Sequence, residues 1–115
     1  MNTEQKLKGQ SALVTGANSG IGEAVAIAMG NAGANVVVNY VTHPEDADAV
    51  VKKIQDSGAK AIAIKADVSK EDEVQSMFQQ MYAAFGTIDI LVNNAGIQKD
   101  SPLESMSLEF WNWLI

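Results

Sequence analysis

The chain predicts an α/β domain built on a parallel sheet, and three observations carry that prediction. Short apolar runs rich in β-branched residues alternate with stretches of helical period four times along the 115 residues. Glycines or small polar residues punctuate these segments, and a glycine-rich loop joins the first run to the first helical stretch. The length suits one small domain, with no repeat, linker or low-complexity tract to divide it.

The elements follow in order. Ser11–Ala12–Leu13–Val14–Thr15 ends in glycine and reads as a buried strand. From Gly20 a helix is predicted, with Ile21, Ala24, Val25, Ala28 and Met29 as its apolar stripe and Gly33 as its stop. Asn35 to Tyr40 holds three consecutive valines and reads as the second strand. Pro44 suits the first turn of the next helix, where Glu45, Asp46 and Asp48 complement the positive dipole end. Ala47, Val50, Val51 and Ile54 form its stripe, and Gly58 ends it. Ala59 to Lys65 reads as the third strand.

Ser69 and Asp72 resemble a capping box for the third helix, whose core face is Val74, Met77, Phe78, Met81, Tyr82 and Phe85, closed by Gly86. Ile88 to Val92 is the fourth strand, and Ser107 is expected to cap a fourth helix. Strands separated by helices of this length imply right-handed crossovers. The expected fold is therefore a Rossmann-type parallel sheet of order 3-2-1-4, flanked by helices.

Charge and composition narrow the partners. Eight basic residues, all Lys, against fourteen acidic ones give a net charge of −6. That argues against nucleic acid or an anionic membrane, both of which call for clustered positive charge. There is no Cys and one His, so neither a disulfide nor a thiolate- or histidine-based metal site is expected. Met1 to Gln10 is polar, and no run approaches the roughly 18 apolar residues of a membrane span, so a soluble, cytoplasmic protein is expected.

The chemistry concentrates in Thr15–Gly16–Ala17–Asn18–Ser19–Gly20–Ile21–Gly22. Gly16 suits a tight turn, and Gly20 and Gly22 present no side chain to block a phosphate or close helix packing. The helix behind them offers backbone N–H groups and a positive dipole end, which suits a pyrophosphate. A Walker-type ATP loop requires Lys-Ser/Thr after its last glycine; Glu23 follows Gly22 here.

TGANSGIG resembles the TGxxxGxG loop of the short-chain dehydrogenase/reductase family. Asp67–Val68 and Asn93–Asn94–Ala95–Gly96 resemble two further motifs of that family, in the same order, and the resemblance spans essentially the whole chain. It implies the N-terminal half of such a domain, residues 1–115, as a partial NAD(P)-binding unit. On that resemblance Gly16, Asn18, Ser19, Gly20, Ile21 and Gly22 hold the pyrophosphate side of the cofactor. Asp67 meets the adenine amino group with the Val68 backbone beside the ring, and Asn93, Ala95 and Gly96 line the ribose side and steady the sheet.

A Rossmann domain selective for NAD offers Asp or Glu to the ribose 2′-hydroxyl about 20 residues beyond the loop. This chain has Asn39–Tyr40 there, with no carboxylate before Glu45 and no Arg to grip a 2′-phosphate. Asn39 is therefore placed at the ribose, with Thr42, His43 or Lys52 as candidate helpers, His43 being read rather as an ordinary exposed loop residue. Dual use of NAD and NADP, leaning to NADP, is expected.

Family catalysis uses a Tyr with a Lys four residues later, assisted by Ser and Asn. Tyr40 is followed at that spacing by Pro44 and Tyr82 by Gly86, so no catalytic residue is assigned. Tyr82 is read as core. The crowded Phe110, Trp111, Trp113, Leu114 and Ile115 suggest a helix cut short, in a family where it commonly packs against a partner subunit. The expected parent is an alcohol/ketone oxidoreductase and homo-oligomer. VVVNY and SLEFWNWLI look most like glucose 1-dehydrogenase-type members, with 3-oxoacyl-carrier-protein reductases as runner-up. A non-catalytic dinucleotide-binding or interaction module is the reading from another class.

Overall fold

The computed structural model describes residues 5–94. Seven elements alternate: β1 Ser11–Val14, α1 Gly20–Asn31, β2 Asn35–Tyr40, α2 Pro44–Asp56, β3 Ala61–Lys65, α3 Glu71–Phe85 and β4 Ile90–Val92. The strands form one parallel sheet of order β3-β2-β1-β4, as expected of a Rossmann half. Register runs Ser11 to Asn35 and Ala12 to Ile90 on either side of β1, and Val36 to Ala61 between β2 and β3. The strands are shorter than the sequence suggests: Thr15, Ala59–Lys60 and Ile88–Asp89 lie just outside them. Ser107 and the Phe110–Ile115 segment lie outside the described residues.

Strand alternation divides the core in two. Ala12, Val14, Val36 and Val38 face α1 and α2, meeting Ala26, Ala47, Val50 and Ile54. Leu13, Val37 and Ile64 face the other way onto Val74, Met77, Phe78 and Met81 of α3. Both faces of β1 and β2 are thus covered, which is why these strands read as continuous apolar runs rather than alternating ones. Among the described residues no helix is long and apolar enough to cross a membrane.

The apolar stripe predicted for α1 is corrected. Ile21 is 69% exposed, Ala24 and Ala28 are exposed, and Val25 and Met29 are half-buried. The buried positions are Gly22, Ala26 and Gly30, one small residue per turn. They let the helix lie close to its neighbours: a Cβ on Gly30 would stand 2.6 Å from Ile54 Cγ2 of α2. Hydrophobic periodicity overlooks such a face, because the side chains that mark it are the smallest ones. Gly30→Ala should therefore destabilise the fold by about 1 kcal/mol net. Overpacking against a β-branched side chain outweighs the roughly 1 kcal/mol gain in helix propensity. Urea unfolding of the two proteins checks this, and a more stable variant would contradict the close packing.

Two further expectations change. Tyr82 is 61% exposed rather than core. It rims a shallow apolar groove with Phe78, Gln79, Ala83 and Ile88. The capping box at Ser69 does not form. Lys70 is the N-cap of α3 and no side chain caps it. Ser69 instead donates from its N–H and its Oγ to Asp67 Oδ1, at 2.9 and 2.7 Å. Glu73 reaches back past the helix start to accept from the Asp67 N–H at 2.8 Å. Gly86 ends α3 as expected, at φ 78, with its N–H donating to Tyr82 O.

Candidate functional site

All the motif segments emerge at the carboxyl end of the sheet, where α/β folds of this type bind ligands. The glycine loop leaves β1, the Asn39–Tyr40 pair ends β2, Asp67 follows β3, and Asn93–Asn94 follow β4. Polar side chains tie these segments to one another.

The Gly16 peptide is held from both sides. Its N–H donates to Asn39 Oδ1 at 3.1 Å, and its carbonyl accepts from Asn94 Nδ2 at 3.1 Å. The next N–H, of Ala17, donates to Asn39 O at 2.8 Å. Thr15 binds β4 through its N–H to Val92 O at 3.0 Å, and its Oγ1 lies 3.3 Å from Asn93 Oδ1. Asn18 Nδ2 donates to Thr42 O at 2.8 Å, clasping the glycine loop to the β2–α2 connection.

The glycines serve different ends. Gly16 and Gly20 have φ of 59 and 60, the left-handed region that L side chains resist. Around Gly20 a Cβ would meet nothing within 4 Å, so the loop is open there. Gly22 sits where a Cβ would collide with Gly16 O and stand 2.7 Å from Asn94 Nδ2. Ser19 is the extended N-cap of α1 and makes no side-chain capping bond. Glu23, the one acidic residue of the first turn, pairs with Lys53 of α2 at 3.1 Å, which offsets its charge beside this positive dipole end. A left-handed, open loop running into a helix start that no side chain caps fits an anionic pyrophosphate.

The other predicted residues fall as follows. Asp67 is half-exposed beyond β3, held by Ser69, while the Val68 side chain packs into the α3-side core. Asn93 is half-buried beside Thr15. Thr42 and His43 are exposed, His43 as the left-handed N-cap of α2 at φ 62. Lys52 lies 3.5 Å from Asp56 of its own helix. Ala95 and Gly96 lie outside the described residues.

Asn39 is the correction that matters most. Placed at the ribose by its position, it is 0% exposed. Its Nδ2 donates to Ile64 O at 3.2 Å and Ala66 O at 3.1 Å, while its Oδ1 accepts from Gly16. The amide faces the protein's own backbone. Asn94, part of the same motif but without a cofactor role in the resemblance, is 3% exposed and holds the Gly16 carbonyl. Only its place beside a strand end hinted at that role.

A family model described as short chain dehydrogenase matches residues 10–115. The chain belongs to that family. The 3-oxoacyl-[acyl-carrier-protein] reductase FabG of Staphylococcus epidermidis is 45% identical over 106 residues, covering 92% of this chain and 43% of the relative. The crystal structure of a hydroxysteroid dehydrogenase from Escherichia coli superposes with a TM-score of 0.74 at 36% identity, covering 87% of this chain and 44% of that one. The angucycline C-6 ketoreductase LanV, solved with bound NADP, gives a TM-score of 0.70 at 39% identity, covering 77% and 37%. This short-chain dehydrogenase chain thus spans less than half the length of the relatives it matches.

Proposed function

We propose that the chain is the dinucleotide-binding portion of an NAD(P)-dependent oxidoreductase that interconverts an alcohol and a ketone. The observation that carries this reading is the Gly16 peptide, gripped by Asn39 and Asn94 so that the open Gly20 turn leads into the start of α1. The loop from Gly16 to Gly22 would hold the pyrophosphate, Asp67 and the Val68 backbone the adenine, and Asn93, Ala95 and Gly96 the ribose side of the nicotinamide. The cofactor, when bound, supplies or accepts hydride; these residues bind and orient it.

Support for a parent activity comes from the relatives' names. The FabG relative favours 3-oxoacyl-carrier-protein reduction, the runner-up reading, over glucose oxidation. The lean towards NADP no longer rests on Asn39. It rests on the segment Tyr40–Val41–Thr42–His43–Pro44, which contains no carboxylate to repel a 2′-phosphate, and on the ketoreductase LanV, solved with NADP.

No Tyr-x-x-x-Lys pair occurs in the 115 residues. The chain is therefore expected to bind NADPH and NADH without turning over a 3-oxoacyl thioester or glucose, which also favours the non-catalytic binding module as a second reading. Fluorescence titration with each dinucleotide, followed by a turnover assay, tests this. Binding of neither would overturn the assignment, NADH-only binding would overturn the NADP lean, and genuine turnover would overturn the argument from the missing pair.

A further inference from the structure

One fully enclosed polar side chain beside the loop has no part in touching the cofactor in the reading above. Asn39 is 0% exposed at the end of a strand covered on both faces, and its amide bridges two backbone segments. Oδ1 accepts from the Gly16 N–H; Nδ2 donates to the carbonyls of Ile64 and Ala66. Ala66 directly precedes Asp67, so one side chain ties the turn before the pyrophosphate loop to the segment expected at the adenine. The Asn39 carbonyl adds a second tie, to the Ala17 N–H.

We infer that Asn39 is a positioning residue, fixing Gly16 and the end of β3 in one geometry and supporting both nicotinamide dinucleotides alike, rather than a residue that reads the ribose. The inference rests on the dinucleotide-binding reading. It departs from the usual expectation at this point of a Rossmann unit, where a polar residue discriminates NAD from NADP. An amide suits this position because it is donor and acceptor at once. An aspartate would keep the acceptor for Gly16 but set a carboxylate oxygen against two carbonyls. A carboxylate buried there cannot greet a ribose hydroxyl.

The test compares the full 115-residue chain with Asn39→Asp and Asn39→Ala. Hydrogen exchange at the Gly16 and Ala17 amides is followed alongside NADPH and NADH titrations. Both variants are expected to weaken NADPH and NADH by a similar factor, on the order of tenfold, leaving the ratio of the two affinities within about threefold of the parent. Asn39→Ala is also expected to speed exchange at Gly16 more than at the central amides of α2.

A shift of the affinity ratio towards NADH in Asn39→Asp would overturn the inference, showing a side chain that reaches the ribose. Unchanged exchange at Gly16 in Asn39→Ala would overturn the positioning role. If the parent chain binds neither dinucleotide, the functional reading fails and the cofactor half of the inference falls with it. Exchange at Gly16 then still decides whether Asn39 anchors the loop. Should Asn39→Asp fail to fold, Asn39→Ala carries both readouts.

Discussion

Gly22→Ala is expected to abolish dinucleotide binding and to destabilise the domain by about 3 kcal/mol or more, the upper end of what overpacking costs. The added methyl would collide with Gly16 O, stand 2.7 Å from Asn94 Nδ2 and 3.0 Å from Ala17 Cα. Two of these three atoms are backbone and the third belongs to a side chain that is 3% exposed, so no flexible group can yield. Relief requires either that α1 lift from the loop or that the Asn94–Gly16 bond part. Gly20→Ala is the natural control. Its Cβ would meet nothing within 4 Å, and its difficulty is only the positive φ of 60, worth about 1–2 kcal/mol. Urea unfolding and NADPH titration on both variants should rank Gly22→Ala as the more damaging. The reverse order would mean the loop is held by backbone conformation rather than by close packing.

Phe78→Ala is expected to have the larger effect on stability alone, about 3–5 kcal/mol. Phe78 is 2% exposed and belongs to the cluster with Leu13, Val37, Met77 and Met81, in which α3 covers one whole face of the sheet. For a domain of this size such a loss is a large part of typical total stability. Tyr82→Ala, one turn further along the same helix but 61% exposed, should change stability by under about 1 kcal/mol. Thermal unfolding of the pair separates them. Equal losses would show that Tyr82 belongs to the core after all.

The contrast between those two aromatics shows where sequence reasoning reached and where it stopped. Four strands were legible because β-branched runs and glycine stops agree, and their order followed from the Rossmann pattern those elements fit. Helix α2 was legible, since Ala47, Val50 and Ile54 of its predicted stripe are buried and Val51 is half-buried against the same core. Helix α1 was not. Its inner face is made of Gly22, Ala26 and Gly30, and hydrophobicity cannot register the absence of side chains. Tyr82 continues the apolar period of α3 but stands at the rim of its inner face, beside Ala83 and Ile88, while Phe85 further along packs onto the core.

In the site, the glycine loop and Asp67 were placed by motif, and the structure sets them at the same end of the sheet. Asn39 was misread because a polar residue at a strand end looks like a surface residue. The available clue was the continuous valine run before it: a strand covered on both faces encloses Asn39 whichever way it points, as the 0% exposure of Val36, Val37 and Val38 shows. Ser69 and Asp72 had the right spacing for a cap, but the Asp67 carboxylate competes for the Ser69 hydroxyl and takes it.

The place of β1 in the sheet has a consequence for how the domain is made. β1 is the earliest strand in the chain and an inner strand of the sheet, and its contact with β4 joins Ser11 to Asp89 across 78 positions. Chain emerging from a ribosome can therefore pair β1 with β2 early, but its other edge waits until nearly the whole described length has been synthesised. Contacts of such separation form slowly, because the intervening chain must be closed into a loop first. Asn94, which grips the Gly16 carbonyl, arrives with that last strand. Competence to hold a nucleotide is thus tied to the docking of β4, and dinucleotide binding during refolding would report when β4 has docked.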